Sequence, residues 1–148
     1  MADDDRTRTS TEQRSFLTCA TAVARLLGVE ESAGEPGDLR ARRLAHAVRK
    51  PLLERESMPE EWFVPLMAAA VHDPDPSFCR WFVEPAVYAF GLRRVAAALV
   101  DHLRNGTDAE RAGAVRAWYS AHVPLRPDRS PLYGPGDGLI GAGRRCPA

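Results

Sequence analysis

Four histidines, a close pair of aspartates and one basic run are the residues whose types and spacing could do chemistry. His46, His72, His102 and His122 each stand singly on a helical pattern or at its end. A general base or a zinc site of a known kind would show HExxH or paired-cysteine spacing, and none of the four does. They read as structural residues, with His72 and His122 placed to complement the negative end of a helix dipole. Asp73 and Asp75 could form an acid pair, but they sit in the Pro-bracketed turn Asp73-Pro74-Asp75-Pro76, where turn and cap chemistry accounts for both. The run Arg40, Arg42, Arg43, Arg49, Lys50 could hold a phosphate or an acidic partner. Asp38, Glu54 and Glu56 stand near it, so a solvated helix face is the simpler reading. The glycines of Gly134-Pro135-Gly136-Asp137-Gly138 lack the lysine and the following helix of a phosphate loop. No catalytic residue, metal-ligand set or cofactor is therefore assigned.

Composition bounds the rest. With 148 residues the chain suits one domain with a real core. Its formal net charge of zero argues against a general nucleic-acid or anionic-membrane surface. Lys50 is the only lysine among 20 basic residues, a bias expected of a GC-rich genome. The three cysteines, Cys19, Cys79 and Cys146, are odd in number and far apart. Cys19 and Cys79 fall on helical patterns as small buried hydrophobes, which suits a reducing, intracellular setting. The acidic start Ala2-Asp3-Asp4-Asp5 is not a leader, and no apolar run approaches the ~18 residues that span a bilayer. A cytoplasmic protein is expected.

The elements that must position these residues are helices. Residues 1–9 are polar and expected to be disordered, residues 10–122 form a helical domain, and residues 123–148 are a Pro- and Gly-rich irregular tail. Ser10 and Gln13 have capping-box spacing, and Phe16, Leu17, Ala20, Val23, Ala24 and Leu27 follow on one face before Gly28. Asp38 is placed to cap a second helix with the stripe Ala41, Leu44, Ala45, Val48 and Leu52, which Pro51 should kink or interrupt. A third helix opens near Ser57 and Pro59 and carries Trp62, Phe63, Leu66, Met67, Ala70 and Val71. Asp75 as N-cap and Pro76 at the first helical position open a fourth, with Phe78, Phe82, Ala86 and Phe90. The fifth shows Leu92, Val95, Ala96, Leu99, Val100 and Leu103 on one face. Gly106 is placed as its C′ residue, in the left-handed region. Thr107 and Glu110 form a capping box for the sixth, whose apolar stripe reads as Ala112, Val115, Trp118 and Tyr119. The short turns make neighbouring helices antiparallel.

Val71 and its turn correspond to Leu103 and its turn at an offset of 32 residues. Over residues 59–122 this resembles a short HEAT-type helical repeat. Such units run from a leucine through an Asp- and Pro-rich turn to an arginine, a small residue and a large apolar one. Leu103, Arg111, Ala114 and Trp118 fall on those places. In the first unit Cys79 stands where the arginine belongs, with Arg80 one place late, Phe82 replaces the small residue, and Pro85 interrupts the pattern. The resemblance implies an all-α, HEAT-like stack of about six helices in antiparallel hairpins, used for protein contact.

The function expected is therefore a non-enzymatic protein–protein interaction module of a bacterial cytoplasm. In such a stack the second helices of successive pairs line one shared surface. Arg80, Glu84, Tyr88, Arg116 and Ser120 occupy the outward positions there and are the candidate partner-binding residues. The alternative is a small α-helical enzyme acting on a nucleotide or nucleic acid, which would need a deep pocket holding a carboxylate or a perturbed histidine.

Overall fold

The computed structural model describes residues 15–30, 34 and 36–122. Six helices follow one another: α1 (15–26), α2 (Gly37–Glu54), α3 (Phe63–His72), α4 (Arg80–Phe90), α5 (Leu92–Asn105) and α6 (Asp108–His122). A 3-10 turn, Glu60–Trp62, leads into α3. No strand occurs among the described residues. The fold is all-α, with α3–α4 and α5–α6 as packed hairpins. The expected 1–9 segment and 123–148 tail lie outside the described residues, as does the Ser10–Gln13 capping box.

The first five stripes are the core faces. Phe16, Ala20, Val23 and Ala24 of α1 are buried, as are Ala41, Leu44, Ala45, Val48 and Leu52 of α2. Pro51 is accommodated within α2, which runs unbroken to Glu54, and Pro36 rather than Asp38 holds the cap position. The α3 stripe is buried from Trp62 to Val71. Helix α4 differs, because Trp81 to Val87 are buried without interruption. It is the central helix, packing on α2, α3, α5 and α6, and Phe82 meets Phe16 of α1 edge to face at 6.0 Å between ring centroids. A single residue, Gly91, separates α4 from α5, and its φ of +92° turns the corner.

Helix α6 corrects the reading from periodicity. Its inward face is Gly113, Ala114, Ala117, Ser120 and Ala121, while Val115 is 46% exposed and Tyr119 71% exposed. Small residues face inward because α6 lies close against α3. A Cβ added at Gly113 would stand 2.8 Å from the Val71 carbonyl carbon. The turn before α6 holds one expectation and corrects another. Thr107 Oγ1 accepts from the Glu110 N–H at 3.2 Å, and its hydroxyl donates to the Glu110 carboxylate at 3.2 Å. Gly106, however, has φ −79°, not a left-handed conformation. Glycine is needed there for space, since a Cβ would meet the His102 carbonyl oxygen at 2.5 Å.

Candidate functional site

Asp73 ends α3 and is wholly buried. A buried carboxylate must find donors for its lone pairs, and this one has them. Arg42 of α2 grips it side-on, Nη2 donating to Oδ1 at 2.8 Å and Nη1 to Oδ2 at 3.2 Å. The Asp75 N–H donates to the same Oδ1 at 3.0 Å. Arg116 of α6 donates from Nη2 to the Asp73 carbonyl at 3.1 Å. One residue of the Asp-Pro turn thus ties α2 and α6 to the α3–α4 hairpin. The turn continues as the sequence suggests, with Asp75 Oδ1 accepting from the Ser77 N–H at 2.8 Å, but regular helix begins only at Arg80.

The basic run of α2 is solvated at Arg43, Arg49 and Lys50, which are exposed, but not at Arg42. Besides gripping Asp73, the Arg42 guanidinium stacks on Phe78 at 4.3 Å and on Phe16 at 5.2 Å. Arg49 lies over Trp81 at 5.0 Å, and His46 meets the same indole at 4.3 Å between centroids. Residues 42, 46 and 49 share one helical face, and that face packs on the aromatic side of α4. Lys50 pairs with Glu54 along the helix at 3.7 Å.

The five candidate partner-binding residues do not share one outward surface. Glu84 is only 8% exposed; it accepts from the Tyr88 hydroxyl at 2.8 Å and lies 3.6 Å from Arg80 Nε. Ser120 is buried, its Oγ 3.4 Å from Cys79 Sγ across the α4–α6 contact. Tyr88 is half-buried. The central place of α4 is the reason, since no side of that helix is left to solvent over its middle turns. What remains open is narrower. Arg80, Arg116 and Ser120 line a groove of about 490 Å³ together with Pro76, Ser77, Val115 and Tyr119. Sequence reasoning found the two arginines and took Val115 and Tyr119 for core.

A second cleft, of about 280 Å³, lies on the other side of Arg116 and is lined by Ser15, Val71, His72, Pro74, Thr107, Ala109, Glu110 and Ala112. Burial holds the His72 imidazole below its ordinary pKa, the Glu110 carboxylate opposes that shift, and His102 adds to it. The ring is therefore neutral at pH 7. Cys79 is buried against Ser120, and burial pushes its thiol pKa up. Among the described residues no group of three or more His, Cys, Asp or Glu could hold a metal ion, and no helix is long and apolar enough to cross a membrane.

The chain matches no protein-family model, no curated protein and no solved structure.

Proposed function

We propose that this chain is a non-enzymatic protein–protein interaction module, working in a bacterial cytoplasm and built as a short HEAT-like stack. The observation that carries this is the exposure of Val115 and Tyr119 beside Arg80 and Arg116 in the α4–α6 groove. Large apolar and aromatic side chains left outside a core, next to arginines, have the composition of a binding hot spot. The two hairpins, at their 32-residue offset, support the repeat reading.

The nucleotide-directed enzyme has one observation in its favour, that His72 and Glu110 line the second cleft together. That cleft, at about 280 Å³, is smaller than the ~300–1,000 Å³ common for small-molecule sites. The experiment compares wild type with Tyr119→Asp as immobilised baits in lysate of the source cell. We expect equal melting temperatures and at least one protein retained by wild type alone. Identical capture by both would remove the groove from the reading, and turnover of nucleotides by purified wild type would replace it with the enzyme.

A further inference from the structure

The groove also specifies the charge of what it takes. Two guanidinium groups line it and no carboxylate does. Among the described residues Arg80 meets Glu84 only through Nε, at 3.6 Å, and its terminal nitrogens have no hydrogen bond. Arg116 spends Nη2 on the Asp73 carbonyl, and its buried Nε has no partner. Arg80 thus keeps its two terminal nitrogens to donate to a carboxylate, which a guanidinium can bind through two parallel bonds, and Arg116 keeps Nη1. Next to the arginines stand Pro76, Val115 and Tyr119, an apolar strip on a helix face. A bare small anion would use the first feature and waste the second.

We propose that the groove binds a short acidic peptide segment of a partner protein, with one carboxylate on Arg80 and Arg116 and an adjacent apolar side chain against Val115 and Tyr119. This rests on the interaction-module reading above and adds the partner's chemistry to it. Glu84 already meets Arg80 Nε through Oε2 at 3.6 Å, while its Oε1 accepts from Tyr88, so an incoming carboxylate would use the terminal nitrogens of Arg80. Net charge near zero over the whole chain makes the attraction local, so it is confined to the groove and screened by salt.

The test changes the sign of charge at Tyr119, which is 71% exposed and holds nothing in the fold. Random peptides displayed on phage are panned on the full chain, and an enriched sequence is made as a free labelled peptide. Asp or Glu next to an aliphatic residue should be enriched. The free peptide should bind Tyr119→Asp about tenfold more weakly than Tyr119→Lys, and more weakly in high salt. Equal affinity for the two variants, with neutral or basic peptides enriched, would overturn the acidic partner while leaving a binding groove. Peptides that ignore both substitutions would remove the groove and the module reading together. Tighter binding of an oligonucleotide, self-association lost in Tyr119→Asp, or binding that appears only after residues 123–148 are deleted would each assign the groove to another occupant.

Discussion

Asp73 has its amide, its carbonyl and both carboxylate oxygens engaged, from Ala69, Arg116, Arg42 and Asp75. Removing the charge strands a half-buried arginine between two aromatic rings. Arg42 keeps 24% of its side chain exposed, so the cost should fall at the low end for a broken buried pair, about 3 kcal/mol for Asp73→Asn in urea melts. Adding Arg42→Met to that variant should recover part of the loss, because the stranded cation goes with it. A neutral Asp73→Asn would mean that the pair holds nothing together. None of this was legible in the chain. Asp73 reads as a turn residue and Arg42 as one of a solvated run, and no local pattern joins two residues 31 apart. His72 gives a second prediction. Its folded pKa lies below the ordinary value, so between the two the unfolded chain binds more protons. Stability from keeping the ring neutral is complete above about pH 6.5 and is lost as pH falls from there through the folded value. The urea midpoint should therefore drop on acidification, and drop less in His72→Gln, which lacks the imidazole. Parallel losses in the two proteins would rule the imidazole out as their source.

At the scale of the element, all six helices were readable, and five of their core faces, because those faces are large and apolar. The inward face of α6 was not, for a physical reason. Close approach to α3 demands small residues, and Gly113, Ala114 and Ala117 carry little hydrophobic signal. The stronger signal, from Val115 and Tyr119, comes from the outward side. The two readings predict opposite mutational costs. With the helix as it stands, Gly113→Ala forces α6 off the Val71 carbonyl and should cost about 1–3 kcal/mol or more by overpacking. Val115→Ala should stay within about 0.5 kcal/mol, as surface changes do. Chemical denaturation of both variants decides it, and a costly Val115→Ala with a tolerated Gly113→Ala would restore the stripe read from periodicity. The site followed the same logic. Arg80 and Arg116 were found from polar spacing, whereas Glu84 and Ser120 were misplaced outward because spacing along one helix does not say that a helix is surrounded.

The whole molecule turns on α4. In a linear stack each helix pair meets only its neighbours, so units open separately and the ends fray first. Here α4 belongs to the middle pair, and its contacts with α2, α3, α5 and α6, like those of α6 with α3 and α5, all fall within one pair or between neighbouring pairs. The corresponding first helices of the two hairpins, α3 and α5, meet only slightly. Phe82, on α4, is fully buried and edge-on to Phe16 of α1. Truncating it should cost about 3–5 kcal/mol. The distribution of that loss is more telling than its size. If the helices share one core, Phe82→Ala should lower native-state amide protection in α2, α3, α5 and α6 by the same free energy, as one cooperative opening. Hydrogen exchange resolved by residue reads this directly. Wild-type protection retained in α5 and α6, with loss confined to α3 and α4, would show two nearly independent units, which is how a repeat stack behaves and a closed helical domain does not.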